Sequence, residues 1–529
     1  MSTDLLSLGT VRDCIVRRLP VGAVGVVLVV AALVSAFAGG ASGFVSSSGG
    51  AVTAAARNAS GTFVVGQTAP INNLLPFPFQ QPNATWSRAL FDSLIFWDNG
   101  KPSPWLATRW RISADGKTYD FNIRPGLKFS NGHRLDANSV VQMLKWASVP
   151  SNLVAGAGFF ATAKITRTGP YSFRLVFPTP APQLLSNLAV VPIVDLSSPN
   201  LQQPAGTGPF LVKSFSPLSG LELVRNPNYW SKKWFPKISA YTIKVFPDNT
   251  SLVSALQTGQ IDAIAYPSFS QVPQLKKAGM TILTSPQPPG NFMLRVNVEK
   301  GPLGNADVRR ALSMAFNRPL FAKLNSGGLA KPTCSVYPPG SPVHTTASET
   351  SCKFDLTGAK TLLAKAGYPN GFNITLNASS ERQPEITGFA PVLKQDLASI
   401  GVNLTIQDNA TNLWFKHQVE RSYELSADWY PWAVFDPAML FVSATWWPQP
   451  NVENFRSDEY ANLVVKAQSE VDPAKRLALY RQLNKYLQRQ AFVIPVATRP
   501  YVYALSPKVR GFTIDPFGMA ALTNVTIAS

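Results

Sequence analysis

Alternating apolar and polar positions give the clearest structural signal in the first third of the chain. From Tyr119 to Ile123 every second residue is apolar, which is the period of a half-buried strand. Glycine-containing pairs at 115–116 and 125–126 supply a turn at each end of this strand. Asp136 then precedes apolar residues at helical spacing and offers its side chain as an N-cap. The pattern predicts a β-hairpin that leads into a helix.

Helical and strand periods continue to alternate along the rest of the chain. Val402, Leu404 and Ile406 are separated by single residues and predict a strand. Apolar residues three and four apart predict helices, several of which begin at a capping residue or proline or end at a glycine. These predicted helices lie at 307–318, 355–367, 391–400, 458–470 and 473–490. The succession indicates the α/β class.

The chain has 529 residues, 45% of them hydrophobic, and it contains 12 tryptophans. This length exceeds one ordinary domain, so we expect at least two lobes with sizeable cores.

The start of the chain has the composition of an export signal. Three arginines in the first 20 residues precede the stretch 21–37, which holds only apolar and small residues. This order is typical of a signal peptide, with 36–38 as a small-residue cleavage site. The stretch is also close to the minimum length for spanning a bilayer, so an uncleaved anchor is the alternative. We assign 1–38 to a signal peptide or N-terminal anchor and 39–60, rich in Ala, Gly and Ser, to a flexible linker.

Several short motifs occur in a fixed order between Gly61 and Val509. They lie at 105–132, 206–210, 226–230, 255–262, 307–318 and 355–368. In this order they resemble the motifs of the extracellular solute-binding proteins of the oligopeptide, dipeptide and nickel class, which serve ATP-binding-cassette importers. Relatives of this family often carry a lipid-modified Cys after the apolar stretch, whereas the early Cys14 of this chain precedes it.

The resemblance implies a two-lobed α/β fold of the periplasmic-binding-protein (Venus-flytrap) type, with an extra subdomain in lobe one. We expect 61–290 to form lobe one with its subdomain and 291–491 to form lobe two. The segment 492–529 is expected to return to lobe one.

The resemblance also implies a function in transport. We expect the protein to capture a peptide-like solute between its lobes and to deliver it to the membrane permease of an ATP-binding-cassette importer. It would act as a monomer outside the cytoplasm: on the outer face of the cytoplasmic membrane, in the cell envelope or in the periplasm. Two alternatives stay open: a non-peptide ligand such as an oligosaccharide or a metal chelate, and a sensor or accessory ectodomain that does not transport.

Candidate catalytic residues are scarce in this sequence. The chain has only 3 histidines, at positions 133, 344 and 417, and none lies within metal-ligand spacing of another. Nucleophile-elbow and phosphate-loop motifs do not occur either. The sequence therefore predicts a binding protein with no enzymatic activity, no metal site and no cofactor.

The segment 428–437 is the first candidate for ligand contact, because it resembles the cleft-lining segment of lobe two in the family. Trp429, Tyr430, Trp432 and Asp436 are its candidate ligand-binding residues; core packing is the alternative for the aromatic ones. In peptide-binding relatives the first Asp of this segment pairs with the α-ammonium group of the ligand. That position falls at Trp432 here, with no carboxylate between Asp428 and Asp436. This departure argues against recognition of a free N-terminus through that segment.

Arg382 is the second candidate for ligand contact. It follows a predicted strand, close to where peptide-binding relatives place an Arg that meets the ligand carboxylate. A guanidinium group offers bidentate geometry for that contact. A solvated loop arginine is the competing interpretation.

Cys334 and Cys352 are the only cysteines beyond the apolar stretch. In an oxidising compartment two such thiols usually pair, and the bridge would contribute roughly 3 kcal/mol on the chain-entropy model. Two free thiols are the alternative.

The net charge is +19 at pH 7, yet no run of Lys and Arg occurs. An exported protein with scattered basic residues gives no reason to predict nucleic-acid binding. Attraction to an anionic cell envelope and adaptation to an acidic exterior both remain open.

Overall fold

The computed structural model describes residues 61–529, except 78–80, 99–100, 153, 155, 199, 201, 289, 384, 432–435, 443–450, 516–517 and 529. The predicted signal or anchor segment, the predicted linker and Trp432 all lie outside the described residues. Among the helices of the described part, none is both long and apolar enough to cross a bilayer.

Strands and helices are interspersed through the described part of the chain. The strands are β1 (Thr62–Gln67), β2 (Ile95–Asp98), β3 (Lys101–Pro104), β4 (Ala107–Ile112), β5 (Thr118–Ile123), β6 (Lys164–Gly169), β7 (Ser172–Val176), β8 (Phe210–Ser216), β9 (Gly220–Arg225), β10 (Ala240–Val245), β11 (Ala263–Ala265), β12 (Thr281–Thr284), β13 (Gly290–Val296), β14 (Phe372–Ala378), β15 (Val402–Asp408), β16 (Leu425–Pro431), β17 (Val493–Arg499), β18 (Val502–Leu505), β19 (Val509–Arg510), β20 (Thr513–Ile514), β21 (Ala520–Ala521) and β22 (Thr526–Ile527).

The α-helices are α1 (Ser87–Leu90), α2 (Ala137–Ala147), α3 (Ala157–Ala161), α4 (Leu184–Val190), α5 (Asn249–Gln257), α6 (Val272–Lys277), α7 (Ala306–Ala315), α8 (Arg318–Ser326), α9 (Leu356–Lys365), α10 (Ile386–Ala398), α11 (Thr411–Glu420), α12 (Asp458–Ser469) and α13 (Pro473–Gln490). Short 3₁₀ helices lie at Gln81–Thr85, Pro150–Asn152, Phe269–Gln271, Gly301–Gly304, Thr346–Thr350 and Pro437–Val442.

Lobe one is built on a seven-stranded sheet with the order β12-β18-β11-β1-β10-β9-β8. Its central strand β1 pairs in parallel with β10 and β11, which come from a distant part of the chain. Apolar side chains of β1 such as Phe63 and Val65 are fully buried in the largest core cluster. Burial of both faces of the sheet explains why these strands are nearly continuous in apolar residues.

The predicted hairpin forms the extra subdomain of lobe one. β4 and β5 pair antiparallel in a four-stranded sheet with the order β4-β5-β7-β6. Every second residue of β5 is buried, as the alternation predicted. The Asp136 side chain accepts hydrogen bonds from the backbone N–H groups of Asn138 and Ser139 and so caps α2. The prediction of a hairpin followed by a capped helix is confirmed.

Several of the sequence motifs meet around one buried carboxylate, that of Asp92. Its oxygens accept hydrogen bonds from the indole N–H of Trp105 at 2.6 Å and of Trp230 at 2.9 Å, and from the Thr207 hydroxyl at 2.9 Å. Burial raises the pKa of Asp92 even though these donors oppose the rise. A Cβ at Gly206 would lie 2.1 Å from the Leu90 carbonyl oxygen, so the turn needs glycine there. These motifs therefore build the scaffold of lobe one.

Lobe two is built on a five-stranded sheet with the order β15-β14-β16-β13-β17. Helices α7 to α10 contribute to the core on one face of this sheet, and α12 and α13 contribute to the core on the other. The predicted strand at 402–406 is confirmed as β15, and the last two predicted helices are confirmed as α12 and α13. The helix predicted from Pro391 begins earlier, at Ile386, because Pro391 is accommodated inside α10.

The chain passes between the two sheets twice. β12 lies in the seven-stranded sheet and β13 in the five-stranded sheet, while β17 lies in the latter and β18 in the former. The two connecting segments are joined: Ser285 N–H donates to the Tyr501 carbonyl at 2.8 Å, and Tyr501 N–H donates to the Ser285 hydroxyl at 3.1 Å. The predicted boundaries put β17 in the return to lobe one, whereas its pairing with β13 is inside the lobe-two sheet. We propose that the hinge consists of these two connecting segments.

The structure joins Cys334 and Cys352 by a disulfide bond, with 5.5 Å between their Cα atoms. Gln488 of α13 donates from its side-chain amide to the carbonyls of Cys334 and Ser348, at 3.0 and 2.7 Å. The bridged loop is therefore fastened to lobe two at both ends.

Candidate functional site

One edge of the lobe-two sheet collects the ends of several strands beside the hinge. β14 runs parallel to β15 and β16, and β13 runs antiparallel to β16 and β17. The carboxyl ends of β14, β16 and β17 therefore share an edge with the start of β13. Gly290 lies opposite both Pro431 and Arg499 at this edge. In open α/β sheets, ligands bind outside the carboxyl ends of the strands.

Arg382 lies at this edge, in the loop between β14 and α10. Its Nη1 donates to Oδ1 of Asp428 at 2.7 Å, and the guanidinium carbon lies 4.2 Å from the ring centroid of Trp414. Within the described residues, Nη1 is the only guanidinium nitrogen of Arg382 with a hydrogen bond, and 23% of the side chain is exposed. The other nitrogens therefore face a region that solvent can reach. A stacked and tethered arginine of this kind is preorganised for an anionic group.

Asp428 is held between two arginines below this edge. Arg295 of β13 forms an ion pair with Oδ2, opposite the bond from Arg382 to Oδ1. The Gln383 amide adds a donor at 3.1 Å. Burial alone would raise the pKa of Asp428, but Arg295 and Arg382 outweigh it and lower the pKa below its usual value. The carboxylate is therefore charged at neutral pH and engaged by the protein itself.

Trp429 lies on the sheet face opposite to Asp428, because successive strand residues point to opposite faces. The Arg499 guanidinium carbon lies 4.4 Å from the Trp429 ring centroid and 5.6 Å from that of Phe292. Arg499 Nη2 donates to Oε1 of Glu385 at 3.2 Å. The structure thus brings Trp429 together with Arg499 and Glu385, at the same edge as Arg382.

The other predicted site residues make internal contacts. The Tyr430 hydroxyl donates to the Met439 carbonyl. Both oxygens of Asp436 accept from Arg476 of α13, at 2.7 and 3.0 Å, and Oδ1 also accepts from the Ala438 N–H at 2.8 Å. Ligand contact by Tyr430 or Asp436 stays a prediction, as does that of Trp432 outside the described residues.

A cavity of about 200 Å³ lies in lobe two beside this edge. It is lined by Phe292, Met293, Phe321, Glu385, Phe389, Ala427 and Asp428. The volume is below the range of pockets that enclose a whole drug-sized ligand, so the cavity has room for one group of a larger solute.

Three charged residues of this region were missed by the sequence analysis: Arg295, Glu385 and Arg499. Arg295 is separated from Asp428 by two thirds of lobe two, and Arg499 from Glu385 by a similar distance along the chain. No local period or motif marks such partners. The one available signal was that Arg295 interrupts an otherwise apolar strand.

Metal binding gains no support from the side chains. In the described ranges, no three His, Cys, Asp or Glu residues are grouped so that they could hold a metal ion.

The fold and the cleft edge define a two-lobed solute-binding protein. Residues 101–449 match the model of the bacterial extracellular solute-binding proteins, family 5. The chain belongs to this family, as its ordered motifs predicted. The family consists of binding proteins that act outside the cytoplasm.

Individual relatives are similar over most of the chain. The glutathione-binding protein GsiB of Shigella flexneri serotype 5b (strain 8401) is 28% identical over 439 residues, covering 78% of this chain and 83% of GsiB. The periplasmic binding protein DppA from Helicobacter pylori, solved with the peptide STSA, has a TM-score of 0.76 and 23% identity, with 89% and 98% of the chains covered. NikA from Brucella suis, solved with Fe(III)-EDTA, has a TM-score of 0.78 and 20% identity, with 88% and 99% covered. These structures confirm the predicted two-lobed fold.

Proposed function

We propose that this protein captures a peptide-like solute between its lobes, outside the cytoplasm, and delivers it to the permease of an ATP-binding-cassette importer. It acts as a monomer and not as an enzyme. The observation that carries the proposal is the position of Arg382 at the carboxyl edge of the lobe-two sheet. The similarity to GsiB, a glutathione-binding protein, supports a ligand of this class.

Arg382 is the proposed anchor for a carboxylate of the solute. Its link to Asp428 and its stacking on Trp414 fix the guanidinium plane before the ligand arrives. Preorganisation lowers the entropy cost of binding. The unengaged guanidinium nitrogens can then make the paired hydrogen bonds that a carboxylate accepts.

Closure of the lobes follows from binding at this edge. The edge lies beside the two segments that connect the sheets, so a solute there is within reach of both lobes. A ligand favours the closed state only by the difference between its affinities for the closed and open states. The closed form is the one that the permease would recognise.

Thermal unfolding of the purified full-length protein tests this proposal. Peptides of two to five residues, oligosaccharides and metal chelates are added separately, and native mass spectrometry identifies any solute retained from the source. We expect peptides to raise the unfolding midpoint in a saturable way. Absence of stabilisation by any peptide would refute the proposed ligand class.

A non-peptide anion is the second candidate. Asp428 is engaged by two arginines, and no carboxylate lies between it and Asp436. Arg382 would bind the carboxylates of a metal chelate as well as it binds those of a peptide. NikA, solved with Fe(III)-EDTA, shows that the fold accommodates such a compound. Stabilisation by chelates alone, in the same experiment, would favour this candidate.

A further inference from the structure

We propose that the lobe-two cavity receives an ammonium group on an apolar substituent, such as the N-terminal residue of a peptide, and that Glu385 is its anion. This inference rests on the proposed function, because it assigns one end of the same solute. It also supplies from another element the carboxylate that the segment 428–437 lacks at the expected position.

The walls of the cavity are apolar. Phe292 and Ala427 come from the sheet, Phe321 comes from α8 and Phe389 comes from α10, and each of these residues is less than a tenth exposed. Burial of an apolar group among them would gain about 25 cal/mol for each Å² removed from water. Aromatic rings also attract a cation over their faces. The cavity therefore suits a hydrocarbon group with a positive charge beside it.

The Glu385 carboxylate has one oxygen with no hydrogen-bond donor in the described part of the chain. Its side chain is only 10% exposed, and Oε1 accepts from Arg499 at 3.2 Å. Oε2 is buried and receives no hydrogen bond. Glu385 stands at the N-cap of α10, but its side chain makes no capping bond. Buried acceptors are nearly always satisfied in native proteins, so this oxygen indicates a group that the solute supplies.

An ammonium group satisfies this environment better than a sugar does. It brings three donors and no acceptor, and one donor is what Oε2 lacks. A sugar would place several hydroxyl groups against phenylalanine rings, where each unpaired hydroxyl costs free energy. Glu385 is the carboxylate with capacity left, because both oxygens of the other acid beside the cavity, Asp428, are already engaged by arginines.

Paired peptide libraries test the assignment on the unmodified full-length protein. One library carries free amino termini, and the other carries the same peptides N-acetylated, each two to five residues long. Native mass spectrometry reports which peptides the protein retains, and calorimetry gives their affinities. We expect retention of free-amine peptides with an apolar first residue, and affinity at least about tenfold lower after acetylation.

Variants then locate the effect. Glu385→Gln keeps the size of the side chain and removes its charge, so it should weaken free-amine peptides by about tenfold and leave N-acetylated ones nearly unchanged. Glu420→Gln, on the exposed part of α11, is the matched control and should change neither. If Glu385→Gln fails to fold, the comparison of the two libraries on the natural protein still decides the question.

The outcomes separate the subsite from the proposed function. Equal binding of the two libraries would overturn the ammonium subsite and leave peptide binding intact. Retention of neither library would refute peptide binding, and the subsite would fall with it. An equal loss for both libraries in Glu385→Gln would show that Glu385 only supports the fold of the site.

Discussion

At the scale of single residues, Arg382 has two partners inside the protein and a free side toward the cleft. Asp428 takes one of its nitrogens, and Trp414 supports its plane. The same geometry would occur in a structural ion pair, so only ligand chemistry can assign the residue. The solute's carboxylate is the group that distinguishes the two roles.

Replacing Arg382 should therefore act on one class of ligand. We expect Arg382→Ala to weaken peptides with a free carboxyl terminus by about tenfold to a hundredfold, because a charged hydrogen-bond partner is lost. C-terminally amidated peptides should lose little. Arg111→Ala, on exposed β4, is the control and should bind like the natural protein in calorimetry. An equal loss for acids and amides would assign Arg382 to the scaffold.

Asp428 should govern part of the stability in acid. Its pKa is lowered in the folded state, so its contribution is complete above the unfolded-state pKa near 4 and is lost as pH falls through the lower folded value. Asp428→Asn leaves two buried arginines without their anion. We expect a loss of about 3–5 kcal/mol at pH 7 in urea unfolding, and a smaller difference from the natural protein at pH 3.

The control for this prediction is Asp98→Asn, because Asp98 is exposed at the end of β2. It should leave both unfolding curves unchanged. A constant difference between Asp428→Asn and the natural protein at every pH would exclude the charge of Asp428 as the cause.

At the scale of elements, the disulfide and the loop that it closes form a unit fastened to α13. We expect the double variant Cys334→Ser with Cys352→Ser to be roughly 3 kcal/mol less stable, because its unfolded state regains the freedom of the loop. Thermal unfolding with and without a reductant measures this. The reductant should lower the midpoint of the natural protein and leave that of the double variant unchanged. The same shift in both would exclude the bridge as its cause.

Elements with a local cause could be predicted from the sequence, and pairings between distant segments could not. Asp355 caps α9 by accepting from the Gly358 N–H at 2.8 Å, as the N-cap pattern predicted. The placement of β17 was harder, because strand alternation says nothing about which sheet a strand joins. α10 was predicted too short, since proline is usually an early helical residue and Pro391 is an interior one.

The candidate site follows the same division. Arg382 and Trp429 could be proposed from their position in a resembling motif, and the structure brings them to one edge. Glu385 could not, because its environment is made by Arg499, which lies 114 positions further along the chain, and by aromatic residues of three different elements. A cavity is a property of packed elements and leaves no period in the sequence.

At the scale of the whole molecule, the lobes touch away from the cleft edge as well as at the hinge. Near the hinge, the Phe269 ring from lobe one lies 6.3 Å from the Phe292 ring of lobe two, measured between centroids. Further out, Gly116 in the β4–β5 turn approaches Val471, which lies between α12 and α13. A Cβ at Gly116 would lie 2.6 Å from Cγ1 of Val471. This second contact has no part in the candidate site, so it can report on closure alone.

A larger side chain at Val471 should therefore oppose closure without changing any ligand contact. We expect Val471→Trp to lower the affinity for every retained solute by a common factor of up to about tenfold, because the closed state becomes less populated. Small-angle scattering should show a smaller decrease in radius of gyration on addition of ligand. Val465→Trp, at an exposed position of α12, matches the substitution away from the contact and should close normally. If Val471→Trp binds and contracts like the natural protein, the Gly116–Val471 contact does not form part of the closed state. A loss confined to one ligand class would instead place Val471 in the binding site.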